Sequence, residues 1–238
     1  MKTRILIPAR LESSRFPEKL LQKLSNKTLI EHICIRASKI KCDSLMVLTD
    51  SKIIQNIVES LDIKCYLSKN NYSNGTDRIA HFCKLKKYDP SDLIINIQAD
   101  ELNFPLNAIN KIKNYFATTK NVSVATIVCR SRSSLDLKDK NLVKTAMDKN
   151  NNAIYFSRSP IPFGSENCFL HLGIYAYKVS ILMKYRGFKK GAVETDESLE
   201  QNRFLFNSTP IKCIPIKSHD SVSINTKNDL KLARKKFK

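Results

Sequence analysis

Short apolar runs and amphipathic stretches alternate along the first half of the chain. Residues 4–8, 44–49 and 63–67 are β-rich apolar runs. Residues 93–97, Leu-Ile-Ile-Asn-Ile, are continuous enough to suit a strand buried on both faces. Between and after these runs, 29–39, 53–61, 76–85 and 105–116 carry apolar residues at helical spacing, and Gly75-Thr76-Asp77 reads as a helix start. This alternation predicts a mainly parallel sheet flanked by helices. Beyond residue 120 the pattern changes: 122–129, 153–157 and 170–178 read as strands, a polar loop separates the first two, and 199–205 belongs to a helix. With no repeat and no linker rich in Pro, Gly or Ser, the expectation is one α/β domain over residues 1–238. A smaller antiparallel portion is inserted near 120–180.

Composition narrows the class. A chain of 238 residues with 42% hydrophobic content can bury one substantial core. The N-terminal apolar run is interrupted by Pro8 and Arg10, and no later run approaches the ~20 residues that span a bilayer. A soluble protein without a membrane partner is expected. Seven scattered cysteines, an odd number without a CxxC pair, read as reduced thiols and suit the cytoplasm. The net charge of +19 invites a nucleic-acid reading. However, 30 of the 41 basic residues are lysines spread over the whole chain. The dense tail 231–238 mixes them with Leu230, Leu232, Ala233 and Phe237 at helical spacing, as on the solvated face of a final helix. No nucleic-acid partner is expected; a positive field also attracts nucleoside triphosphates.

Two segments carry candidate chemistry. The first strand runs into Pro8-Ala9-Arg10-Leu11-Glu12-Ser13-Ser14-Arg15-Phe16-Pro17-Glu18-Lys19. Ligands of open α/β sheets bind beyond the carboxyl ends of strands, where this loop falls. Arg10, Arg15 and Lys19 set three cations there, and Ser13 and Ser14 add neutral donors, a set that suits a triphosphate. The loop lacks the glycines and the Gly-Lys-Ser/Thr ending of a Walker P-loop, and alone it would equally suit a basic surface loop. The second segment, Asn96-Ile97-Gln98-Ala99-Asp100-Glu101, ends the most apolar strand in polar groups. Asp100 suits Mg²⁺, which binds through one or two carboxylates plus phosphate oxygens, although a turn or helix cap is the alternative. Gln98 suits a hydroxyl or a base edge.

With these two segments, Asn74-Gly75-Thr76-Asp77-Arg78, Tyr155-Phe156-Ser157-Arg158, His171-Leu172-Gly173-Ile174-Tyr175 and Glu197-Ser198-Leu199-Glu200-Gln201 with Arg203 stand in order along nearly the full chain. In these motifs the sequence resembles the CMP-Kdo synthetases (3-deoxy-manno-octulosonate cytidylyltransferases). The resemblance implies a Rossmann-like nucleotidyltransferase fold, usually dimeric. It implies the reaction of CTP with Kdo to give CMP-Kdo and diphosphate, for lipopolysaccharide or capsule synthesis. By that likeness Arg10, Arg15 and Lys19 bind the CTP phosphates, Ala9, Asn74 and Gly75 lie near the cytidine, and Ser14 and Arg78 complete the nucleotide side. Gln98, Arg158, His171, Tyr175, Glu200 and Gln201 would surround the sugar acid. Asp100 would hold Mg²⁺; Arg10, Lys19 and Asp100 form the catalytic set.

The sequence departs from the family pattern at four places. The family's Gly-Asp-Glu-Pro is Ala99-Asp100-Glu101-Leu102, its Ser before Gly-Thr is Asn74, and the small residue usual before the loop lysine is Glu18. The acid expected near the C-terminus, a second metal ligand by resemblance, is Asn225. An amide oxygen still coordinates Mg²⁺ but adds no charge, so a higher Mg²⁺ requirement is expected. The competing readings are a cytidylyltransferase for 8-amino-Kdo or another nonulosonate, and a catalytically silent sugar-nucleotide-binding protein.

Overall fold

A computed structural model describes residues 1–13, 16–131, 134–165, 168–217 and 221–237. Strand β1 (Thr3–Ala9) leads through a 3-10 turn at Lys19–Leu21 into a small hairpin, β2 (Lys23–Leu24) and β3 (Lys27–Thr28). Then follow α1 (Leu29–Ala37), β4 (Ser44–Thr49), α2 (Lys52–Glu59), β5 (Lys64–Leu67), α3 (Gly75–Leu85) and β6 (Leu93–Ile97). The helix starts are written locally. Thr28 and Glu31 form a reciprocal capping box on α1, Ser51 caps α2, and Asn74 caps α3. The short β7 (Glu101–Leu102) and helix α4 (Leu106–Thr118) complete the first half.

The second half comprises β8 (Val124–Arg130), α5 (Ser134–Lys138), β9 (Lys144–Met147), β10 (Ala153–Ser157) and β11 (Phe169–Lys178). It continues through α6 (Val179–Tyr185), α7 (Ala192–Glu197), α8 (Asn202–Phe206), β12 (Lys212–Ile216), β13 (Val222–Ser223) and α9 (Lys227–Lys236). β1, β4, β5 and β6 are parallel, as the apolar runs predict. β11 joins β6 antiparallel through Ile174–Lys178, and β8 and β12 extend the sheet beyond it. The amino-terminal end of β11 projects past β6 and there pairs with β9, which pairs with β10. The hairpin β9–β10 thus stands as a wall beyond the carboxyl end of β6.

Each face of the sheet is covered. Ile5, Ile7, Ile95 and Ile97 pack with Ile30 and Ile33 of α1, Ile54 of α2 and Ile109 and Ile112 of α4. On the other face Leu6, Ile94 and Tyr177 pack with Phe82 of α3, Leu182 of α6 and Phe204 of α8. Side-chain alternation along β1 and β6 explains why both strands read as unbroken apolar runs.

The structure revises several expectations. The antiparallel strands within 120–180 are continuous with the central sheet, and three of them share β11 as their partner or are β11 itself. Leu199–Gln201 form a turn rather than a helix, because Ser198 adopts a left-handed conformation (φ 52°) that ends α7, and α8 begins only at Asn202. The final helix starts at Lys227, capped by Thr226 and Asp229, four residues before the basic tail suggests.

Candidate active site

A cleft of about 650 Å³ opens across the carboxyl ends of β1 and β6, bounded on its far side by the β9–β10 wall and the turn between α7 and α8. β1 delivers Ala9 and Arg10 to its edge. The Ala9 side chain is buried in the core with Ile7, which leaves only its backbone for a ligand. Arg10 is exposed and lines the cleft, as do Glu12 and Ser13. Ser14 and Arg15 lie outside the described residues. Lys19 reaches across from the 3-10 turn and pairs with Asp100, Nζ to Oδ2 at 2.7 Å. Asp50, which the sequence reading does not single out, fastens the loop from behind. It accepts from the Leu11 N–H at 3.0 Å and from Arg78 Nη2 at 2.7 Å.

Helix α3 presents its first turn to the cleft. The Asn74 side chain accepts from the Asp77 N–H at 2.8 Å and donates to the Tyr185 hydroxyl at 3.2 Å. Gly75 lies against Pro8, so an added Cβ would come within 3.2 Å of the Pro8 ring. Arg78 is buried over the Tyr72 ring, and its Nη1 has no hydrogen-bond partner among the described residues.

Asp100 and Asn225 come together through a short ladder. β7 pairs with β13, and the Ile224 N–H donates to the Asp100 carbonyl at 3.0 Å. Both residues line the cleft. Beneath them the buried Glu101 accepts from the Ser223 hydroxyl at 2.6 Å and from the Gly173 N–H at 3.3 Å. Burial raises its pKa, and those bonds oppose the rise. Among the described residues no three His, Cys, Asp or Glu side chains gather as a metal cage. One carboxylate and one amide at the ends of two paired strands nevertheless fit Mg²⁺, which takes oxygen ligands and leaves most of its shell to phosphate and water.

The far side is denser. Gln98 Nε2 donates to Glu200 Oε1 at 3.4 Å, and Glu200 Oε2 accepts from the Thr76 N–H at 3.1 Å. Enclosure raises the Glu200 pKa. Gly173 lets Gln98 close in, since a Cβ there would stand 3.1 Å from Gln98 Cγ. His171 lies between Phe156 and Tyr175, with ring centroids at 5.4 and 4.9 Å. Burial lowers its pKa to about 3, so the ring is neutral, and its Nε2 has no partner among the described residues. A neutral ring suits a sugar hydroxyl rather than an ion pair with a carboxylate. Tyr175 and Gln201 are buried at the cleft wall. Arg158 lines the cleft from the end of β10. Arg203, also in the lining, is held by Glu194 through two bonds of 2.7 and 2.6 Å and stands 3.6 Å from Asp77.

The cleft therefore gathers all of the described candidate residues on two facing sides, apart from Ala9, which contributes backbone only. The fold and this site together define an α/β nucleotidyltransferase. The chain belongs to the cytidylyltransferase family, whose model matches residues 4–214. A 3-deoxy-manno-octulosonate cytidylyltransferase of Francisella tularensis subsp. holarctica is 34% identical, over 98% of this chain and 97% of its own length. The protein of that name from Fusobacterium nucleatum is 37% identical, over 97% of this chain and 94% of its own. The structure of a CMP:2-keto-3-deoxy-manno-octonic acid synthetase complexed with CTP superposes with a TM-score of 0.90 at 28% identity, covering 100% of this chain and 98% of that one. Among the described residues no helix is long and apolar enough to cross a membrane.

Proposed function

We propose that the protein transfers CMP from CTP to 3-deoxy-D-manno-octulosonate, giving CMP-Kdo and diphosphate. The observation that carries this reading is the two-sided cleft. Cations and Asp100 lie on one side, and a wall of donors and acceptors with Arg158 and Arg203 lies on the other. Full-length relatedness to proteins named for this activity supports the acceptor.

Arg10 and Lys19 neutralise phosphate oxygens, with Arg15 assigned to them by resemblance, while Asn74, Gly75 and Arg78 take the nucleoside end. A hydroxyl oxygen of the sugar bonds to the α-phosphorus in line with the departing diphosphate. The bond from that phosphorus to the bridging oxygen breaks, diphosphate leaves with the electron pair, and the hydroxyl proton passes to solvent. Asp100 and Asn225 would hold Mg²⁺, which supplies charge neutralisation at the phosphates and polarises the hydroxyl. Arg158 pairs with the sugar carboxylate, while Gln98, His171, Tyr175, Glu200 and Gln201 fix the hydroxyls. We read the enzyme as a cytoplasmic homodimer; its seven free cysteines fit a reducing compartment. Sedimentation would test the dimer.

The deciding experiment is diphosphate release from CTP with Kdo, its 8-amino analogue and sialic acids. Release with Kdo above the others is expected. Preference for another acceptor would replace the substrate, and no release with any would overturn the reading.

A further inference from the structure

Two charged residues that do not line the cleft are built into its acceptor wall. Lys144, on β9, is fully buried. A buried ammonium is costly unless its protons are taken up. Here Nζ donates to the Asp139 carbonyl at 2.5 Å and to the Arg158 carbonyl at 2.9 Å. One side chain thus ties the turn before β9 to the residue just after β10. Burial lowers the pKa of Lys144.

Glu197, the last residue of α7, works from the opposite direction. Its carboxylate accepts from the Tyr155 hydroxyl at 3.1 Å, the Ser157 hydroxyl at 2.6 Å and the Arg158 N–H at 2.8 Å. Those bonds overcome burial and hold its pKa below the usual carboxylate value. The Arg158 guanidinium closes the ring: Nε donates to the Glu197 carbonyl at 2.9 Å and Nη1 to the Lys140 carbonyl at 3.0 Å. The backbone on both sides of Arg158, and two of its guanidinium nitrogens, are therefore fixed by groups supplied or held by Lys144 and Glu197. The same latch joins the β9–β10 wall to the α7–α8 turn that carries Glu200 and Gln201.

We propose that Lys144 and Glu197 are positioning residues that set acceptor affinity by fixing the orientation of Arg158, and that neither acts on the nucleotide. The proposal rests on the reading of Arg158 as the partner of the sugar carboxylate. A guanidinium matches a carboxylate only in a planar, two-bond geometry, so a loosened Arg158 loses affinity while keeping its charge.

The test is steady-state kinetics with Kdo and CTP varied separately, on the full chain. Arg158→Ala comes first: an unchanged Kdo KM would reject the reading of Arg158 itself. Given a raised KM there, Glu197→Ala is expected to raise the Kdo KM about tenfold and leave the CTP KM within about twofold, since ~1.4 kcal/mol corresponds to a factor of ten. Glu197→Gln, which keeps an acceptor oxygen, should recover part of the loss. Lys144→Met should act in the same direction; if it does not fold, the Glu197 series decides. In the Arg158→Ala background, Glu197→Ala should add nothing further to the Kdo KM. Equal rises in both KM values, full additivity with Arg158→Ala, or an unchanged Kdo KM in Glu197→Ala would each overturn the proposal.

Discussion

The two sides of the cleft are built differently. The nucleotide side is assembled from charges at the ends of strands. Arg10 is exposed, Lys19 and Asp100 meet in a single ion pair, and Asp50 holds the loop at one backbone N–H. The acceptor side is assembled from buried or half-buried groups, each held by several neighbours. Arg203 is gripped by Glu194 with two bonds, Glu197 collects three donors, and His171 is enclosed between rings. A triphosphate offers spread negative charge that any well-placed cation satisfies. A sugar acid differs from its competitors by the direction of a few hydroxyls, and only fixed partners read direction.

Substitutions can break that contrast, and the largest effect is expected where charge meets chemistry. Asp100→Ala should lower kcat about 10²–10³-fold, the size seen when one transition-state contact is lost, with the fold retained by circular dichroism. A drop of less than tenfold would remove Asp100 from the reacting centre. Next comes Glu194→Ala, which leaves a buried guanidinium without its two-bond partner. Breaking such a pair costs about 3–5 kcal/mol, here read by denaturant unfolding, whereas truncating the exposed Arg10 should leave stability within about 0.5 kcal/mol.

The third effect depends on pH. With its pKa held at about 3 in the folded protein, His171 takes up a proton more readily once unfolded. Its contribution to stability is complete above the ordinary histidine value and is lost as pH falls from about 6.5 toward 3. Between pH 7 and pH 5 that loss amounts to about 1–2 kcal/mol after allowance for partial exposure. Glu101 and Glu200, whose pKa values are raised, pull the other way, but equally so in a variant. His171→Gln should therefore show a flatter acid limb than the wild type, and parallel limbs would reject the buried neutral ring. The smallest effect is expected at Asn225. Asn225→Asp adds a carboxylate beside Asp100 and should lower the Mg²⁺ midpoint several-fold, by activity and by calorimetry. An unchanged midpoint would sink the idea that the amide weakens this position.

The contrast also explains what the sequence disclosed. β4, β6 and β10 coincide with their apolar runs, and β6, buried on both faces, leaves no other pattern. β12 was hidden by Pro215, which sits on an edge strand where a missing N–H is tolerated. β9 was hidden by Lys144, since a lysine in a polar loop reads as solvated until the carbonyls that bind it are seen. Asp100 and Lys19 were legible as types at strand ends, but their direct pairing joins residues 81 apart in sequence. Glu197 and Glu101 stand inside recognisable motifs, yet their bonds to Arg158 and Gly173 are purely tertiary. Asp50 had no local signal at all. Charge at loop positions survives in a linear reading; fastening does not.

One strand belongs to both halves of this contrast. β11 is flanked by β8 along its length and, on its other edge, by β6 over one part and β9 over another. Local opening that frees the acceptor wall must strip hydrogen bonds from the same strand that closes the parallel sheet. The backbone amides of β11 that bond to β6, in the stretch Ile174–Lys178, should thus be among the last to exchange with deuterated solvent. Slow exchange there would mark β11 as the strand on which both sides of the cleft depend.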